Sequence, residues 1–441
     1  MKRLFATLFA FLLLPSICLA TEVKEITSSN GFKAWLVEEH ALPLVAVRIT
    51  FRASGSAFDP DGKEGRANMT SALLMEGAGD LDARAFSDAV ESRAIGMTMG
   101  VDEDLFNVSL ESLSEHKDKA FYYLGLALTK PRFDTNAIER VKNQTLSIIN
   151  EQQSRPGYLI SRGWREIAFG AHPYGKEPLG TQATLPDLAK SDFENYAKRY
   201  LTKQNILVSA VGDITPEELS RLLDEHLGAL PDRYDPDSSV AEVTLPTTAH
   251  TKTIALDVPQ TMVAFGSAGI KRSDPDYLAA YVMNQILGGG GSLSAKLGRE
   301  IREKRGLAYA VFSELDPLAH AGSWRGGFAT RNEQVDDAIS VLNDTLRDFA
   351  NHGPADQEFK DAKTYLTGAF PLSLDSNADI AQFLIVMQLN QLGIDYLDRR
   401  NAMIEAITKD HVAAMAKKLA DPARLQIVLV GKPKPPEKES P

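Results

Sequence analysis

Two distant stretches of this chain end in the same way. Asn205-Ile206-Leu207-Val208-Ser209-Ala210-Val211-Gly212-Asp213 is an apolar strand stopped by glycine, and Arg424-Leu425-Gln426-Ile427-Val428-Leu429-Val430-Gly431-Lys432 repeats it. Each follows an amphipathic helix with paired basic residues, Lys198-Arg199 and Lys417-Lys418. The starts correspond too. Residues 34–51 and 253–267 alternate apolar and polar side chains, as half-buried strands do. A glycine-bearing loop and a helix follow each, and helices over 134–152 and 332–349 occupy the middles. Strands mixed with long helices in a repeat this large give an α+β protein: two homologous α/β sandwich domains, not a solenoid.

The joint between them is expected at 230–247, which has three prolines, several acids and few large apolar groups. That composition predicts an exposed, extended linker with little regular structure. The domains are then 21–229 and 248–432, and the Pro, Lys and Glu of 433–441 read as a disordered tail.

Residues 1–20 have the layout of a cleaved export signal. Lys2 and Arg3 precede an apolar run over 4–14, Pro15 and Ser16 break it, and Ala20 offers the cleavage site. The run is too short to span a bilayer. A lipid-attachment role for Cys18 is the weaker alternative, because bulky Ile17 precedes it. The expectation is a periplasmic or secreted chain without membrane insertion. Cleavage after Ala20 removes the single cysteine, so core burial must hold the fold without disulfides. Net charge is −11, and −13 once Lys2 and Arg3 are gone. An acidic chain without a basic cluster argues against nucleic acid.

Gly62 to Gly77 carries a specific pattern with its chemistry replaced. The frame Gly65-Arg66-Ala67-Asn68-Met69-Thr70-Ser71-Ala72, an apolar run and Gly77 resembles the inverted-zinc peptidases, including pitrilysin, insulysin and mitochondrial processing peptidase. That family has Gly-x-x-His-x-x-Glu-His here. Its two histidines chelate zinc from one helical face and its glutamate activates water. Here the histidine positions hold Asn68 and Ala72, and the glutamate position holds Ser71. The family's third ligand, a later glutamate, would fall at Ile148 or Ile149, with Glu151 nearby. The resemblance therefore implies no zinc in this chain. His40, His116, His172, His226, His250, His320, His352 and His411 form no pair at ligand spacing. The resemblance marks His172-Pro173-Tyr174-Gly175 as a structural loop.

The second half keeps more of the pattern. Gly288-Gly289-Gly290-Gly291-Ser292 is expected to open a helix from Leu293 to about Lys304, with Ser292 as N-cap and Gly306 ending it. A strand is expected over 307–312. The run Arg299-Glu300-Ile301-Arg302-Glu303-Lys304-Arg305-Gly306-Leu307-Ala308-Tyr309 resembles the same peptidases' C-terminal-domain signature. There an arginine and a tyrosine hold the substrate backbone beside the zinc domain. The matching residues are Arg302 and Tyr309, with Gly289 and Gly290 as further candidate peptide contacts. Spacing alone favours a solvated arginine and a core tyrosine; the resemblance of the surrounding run turns the reading to substrate contact.

The resemblance covers about 23–431. It implies a non-catalytic, substrate-positioning subunit of a heterodimeric zinc metallopeptidase. The zinc and its ligands would belong to a sister chain, and the ligand would be an extended peptide. A homodimer stays open. So does a peptide-binding or assembly protein with this fold and no proteolytic role. A stand-alone enzyme would need another nucleophile or metal site. The mature chain has no cysteine and no Gly-x-Ser-x-Gly elbow.

Overall fold

The computed structural model describes residues 22–291 and 294–432. Residues 1–20, expected to be an export signal, the expected N-cap Ser292, Leu293 and the expected tail 433–441 lie outside the described residues. Each half is a sheet backed by helices. The first sheet has six strands in the order Lys24–Thr27, Lys33–Glu38, Ile206–Gly212, Leu44–Arg52, Leu105–Leu113 and Gly96–Val101. The second has five, in the order Val311–Pro317, Gly322–Arg331, Gln260–Ala268, Gln426–Gly431 and His250–Ala255. The two glycine-stopped strands take equivalent places. Ile206–Gly212 pairs parallel with Lys33–Glu38 and antiparallel with Leu44–Arg52, and Gln426–Gly431 pairs parallel with His250–Ala255 and antiparallel with Gln260–Ala268. Among the described residues, no helix is long and apolar enough to cross a membrane.

The halves exchange a helix. Pro156–Phe169 belongs to the first half in sequence but packs on the second sheet, against Gln426–Gly431 and Gln260–Ala268. Two glycines permit the close approach. A Cβ on Gly163 would come within 2.7 Å of Val428, and one on Gly266 within 2.4 Å of the Trp164 ring. Reciprocally, Asn377–Leu389 of the second half packs on the first sheet. There the Ser209 hydroxyl donates to the Ala381 carbonyl at 2.7 Å, and the Gln388 side chain donates to the Val208 carbonyl at 3.0 Å. Val428 and Val430 accordingly join the core of the first half, while Val37 and Val211 pack with Ala381, Leu384 and Met387.

The linker departs from the expectation of an exposed tether. Residues 228–249 have no helix or strand, yet Val240 and Leu245 are buried. Asp237 accepts two hydrogen bonds from buried Arg66, at 2.8 and 3.0 Å, and one from the Tyr200 hydroxyl at 2.7 Å. The Tyr234 hydroxyl donates to the Ala53 carbonyl at 2.6 Å. A few apolar and acidic anchors spaced along a proline-rich stretch suffice to seat it, and composition averages do not reveal them.

The His172-Pro173-Tyr174-Gly175 loop ties the halves together. Buried Tyr174 donates to Asp104 at 2.5 Å, and its oxygen accepts the His320 backbone N–H at 3.0 Å. The other Asp104 oxygen accepts the Ala319 N–H at 2.8 Å. His172 Nδ1 accepts the Tyr174 N–H, and its Nε2 lies 2.9 Å from the Ala241 carbonyl of the linker.

Candidate functional site

The helix Arg66–Leu73 carries the replaced zinc motif, and its scaffold is intact. Buried Asp59 accepts the backbone N–H groups of Gly65 and Ala67, each at 3.0 Å, and so caps the helix start. Arg66 lies over the Tyr196 and Tyr200 rings at 5.4 and 5.2 Å and locks this turn to the linker through Asp237. Helix Thr135–Gln152 packs alongside.

The residues present do not fit zinc. Ala72 is exposed and has no donor atom, Asn68 is half-buried, and Ser71 is buried with its hydroxyl donating to the Asn68 carbonyl at 2.7 Å. Ile148 is 37% exposed on the neighbouring helix and Ile149 is buried. The nearby carboxylates are committed: Glu76 pairs with Arg140 and Glu151 with Arg155. Among the described residues, no three His, Cys, Asp or Glu side chains gather as a metal site.

In the second half Arg302 and Tyr309 come together. The Arg302 guanidinium sits 4.8 Å from the centre of the Tyr309 ring, and Tyr309 is 84% exposed. Local backbone differs from the expected helix and strand. Residues 298–303 form a wide turn in which the Lys304 N–H reaches the Arg299 carbonyl, five residues back, at 3.0 Å. Gly306 then takes a left-handed φ of 61°, and its N–H bonds the Arg302 carbonyl at 2.9 Å. The strand begins at Val311, so Tyr309 lies on the loop before it. That loop frees Tyr309 from the sheet's alternation and lets its ring meet Arg302. Among the described residues Arg302 has no carboxylate partner, so its charge is available.

The glycine run divides in two. Gly288 and Gly289 are buried, and Gly289 bridges to Ser313 on the edge strand. Gly290 is exposed, with a φ of 64° and open space where a Cβ would be. Asn284 organises this region and carried no sequence signal beyond being polar within an apolar helix. Its side-chain oxygen accepts from Ser313 at 2.8 Å and Trp324 at 3.0 Å, and its nitrogen donates to the Ser313 carbonyl at 3.1 Å.

Tyr309 lines a cavity of about 730 Å³ between the exchanged helix Pro156–Phe169 and the second sheet. Trp164, Met262 and Phe312 form apolar walls. Arg165 and Arg325 also line it but are paired, with Glu177 at 2.7 Å and Glu314 at 2.9 Å. Glu103, from the first half, has no such cation. Burial, reinforced by neighbouring Asp102, Asp316 and Asp104, raises its carboxyl above the usual range. Glu103 was not identifiable from sequence, because only the fold brings its turn to this seam.

Residues 36–182 match the family model described as Insulinase (Peptidase family M16), and residues 187–366 match that of the Peptidase M16 inactive domain. The chain belongs to peptidase family M16. Among similar proteins, the non-peptidase homolog YmxG of Helicobacter pylori is 28% identical over 338 residues, 76% of this chain and 77% of that one. The probable mitochondrial-processing peptidase subunit beta of Schizosaccharomyces pombe is 23% identical over 372 residues, covering 81% and 79%. The crystal structure of the peptidase M16 inactive domain from Pseudomonas fluorescens superposes with a TM-score of 0.88 at 29% identity, covering 95% of this chain and 99% of that one. Within this M16 chain the two matched models meet at 182–187, before the strand Ile206–Gly212 that completes the first sheet.

Proposed function

We propose that this M16 chain is a non-catalytic, substrate-positioning subunit that acts beside a zinc-bearing sister chain. The carrying observation is the contrast between its two candidate sites. The zinc helix is held rigidly but has no ligand set, whereas Arg302 and Tyr309 are stacked, accessible and free of ion pairing. A guanidinium and a phenol held side by side can donate to a peptide carbonyl and to the oxyanion that develops from it. The cavity beneath Tyr309 would seat a side chain of the same peptide, with Glu103 as acceptor for an N–H or a cationic tip. The reciprocal helix exchange supports a chamber that opens between chains and not between the halves of one chain. In this reading the mature chain acts in the periplasm or outside the cell after loss of 1–20, and the zinc is the partner's.

The test is reconstitution. The purified chain should hold substoichiometric zinc after dialysis against trace zinc, and should cleave no peptide alone. Mixed with a zinc-bearing M16 sister chain, it should raise peptidase activity. Arg302→Ala or Tyr309→Phe should then lower kcat by roughly 100-fold, the usual cost of one oxyanion donor. A reconstituted activity indifferent to both substitutions would refute the shared site. It would leave a peptide-binding or assembly role.

A further inference from the structure

A second, smaller cavity has a different chemistry. It measures about 240 Å³ and opens between helix Tyr277–Leu287, the short turn Phe370–Ser373, and helices Asn377–Leu389 and Tyr396–Glu405. It shares no lining residue with the cavity beneath Tyr309. Tyr277, Tyr281, Phe370 and Tyr396 give it aromatic walls, and two arginines, Arg272 and Arg400, enter it.

Arg400 is only 6% exposed. Its guanidinium lies 3.9 Å from the Phe370 ring centre, and Nη1 donates to the Leu366 carbonyl at 3.1 Å and to Asn401 at 3.2 Å. Arg272 lies 4.1 Å from the Tyr277 ring centre, and its Nη2 donates to the Tyr396 hydroxyl at 3.1 Å. Among the described residues neither arginine has a carboxylate within ion-pair distance. Ring faces offset part of the cost of these cations but supply no counter-charge. Arg400 also has a structural part, since Leu366 lies in the last turn of helix Asp356–Gly368, where a cation is favourable. That accounts for Arg400 alone and not for a second guanidinium beside it.

The geometry points to a binding pocket for a carboxylate carried on an apolar, planar body, with Arg272 and Arg400 holding the carboxylate and the rings holding the body. Two guanidinium groups match the two oxygens of a carboxylate. The ring faces, with Leu278, Phe383 and Val386, favour a ligand that carries an apolar body, which inorganic phosphate lacks. Leu372, 76% exposed on the turn Phe370–Ser373, extends the apolar rim. A free aryl-alkanoic acid and the C-terminal residue of a peptide ending in an aromatic side chain share this chemistry.

The experiment is a calorimetric titration of the mature chain with 3-phenylpropionate, 3-phenylpropanol and inorganic phosphate. Two peptides ending in phenylalanine, one with a free carboxylate and one amidated, complete the set. Expected is one 3-phenylpropionate per chain and no binding of the alcohol. Arg272→Gln, at a half-buried position, should keep the thermal transition and weaken binding by about tenfold or more, as loss of a charge-assisted contact does. Arg400→Lys keeps the charge at the helix end but loses the planar fork and should also weaken binding. Tighter binding of the carboxylate-ended peptide than of the free acid, lost on amidation, identifies a chain terminus as the ligand. Binding of the free acid alone identifies a small molecule. Absence of 3-phenylpropionate binding, equal binding of phosphate, or indifference to Arg272→Gln would overturn the proposal.

Discussion

Trp164→Ala tests the exchange of helices directly, because the ring belongs to one half and rests on the sheet of the other. Trp164 is 4% exposed and sits against Gly266. Burying a tryptophan removes roughly 150–250 Å² from water, and at about 25 cal/mol per Å² that contributes ~4–6 kcal/mol. Two features reduce the loss on truncation. The ring borders an open cavity, and its Nε1 has no hydrogen-bond partner among the described residues. Removing that buried donor returns about 1–3 kcal/mol. The expected net cost is near 3 kcal/mol, at the low end for large-to-small core changes. The assay is native-state hydrogen exchange with guanidinium unfolding. If the halves share one core, strands in both sheets should exchange about 100-fold faster, since each 1.4 kcal/mol is tenfold. Faster exchange confined to strands of one sheet, or a cost below about 1 kcal/mol, would refute a shared core.

Tyr174→Phe should cost about 1–3 kcal/mol in urea unfolding, because it leaves buried Asp104 and the His320 N–H without the hydroxyl that joins them. Glu103→Gln should change how stability depends on pH. Its carboxyl is raised in the folded state by burial and neighbouring acids, so the folded chain holds that proton more tightly than the unfolded chain. The penalty is absent below the unfolded value and grows as pH rises through the folded one. The variant should therefore melt higher than the parent at pH 7.5 and equally at pH 3.5, by calorimetry.

The duplicated architecture was legible because the cues are local. Alternating strands, glycine stops and amphipathic helices recur in order, and helices expected over 134–152 and 332–349 form at Thr135–Gln152 and Val335–His352. The replacement of the zinc ligands at Asn68, Ser71 and Ala72 was legible only by setting these residues against the pattern of the family the chain resembles. What a buried face packs against was not. The periodicity of Pro156–Phe169 announces an apolar side, but nothing local says which sheet receives it. The wide turn at 298–303 escaped for a related reason, since Leu297 and Ile301 keep helical spacing up to the point where the backbone widens. The linker's anchors and the pairing of Arg272 with Arg400 arise from contacts between segments far apart in sequence.

The reciprocal helices also say how such a gene could be cut. A polypeptide ending near 230 would carry Pro156–Phe169 without the sheet it covers, and would leave bare the face that Asn377–Leu389 covers. The other fragment would have the mirror defect. Each piece lacks the helix that covers its sheet, and the two are complementary. Supplied together, they should find each other as a split protein does. The segment 230–247, seated by Asp237, Val240 and Leu245, also raises the local concentration of one half around the other. It makes the chain its own first partner.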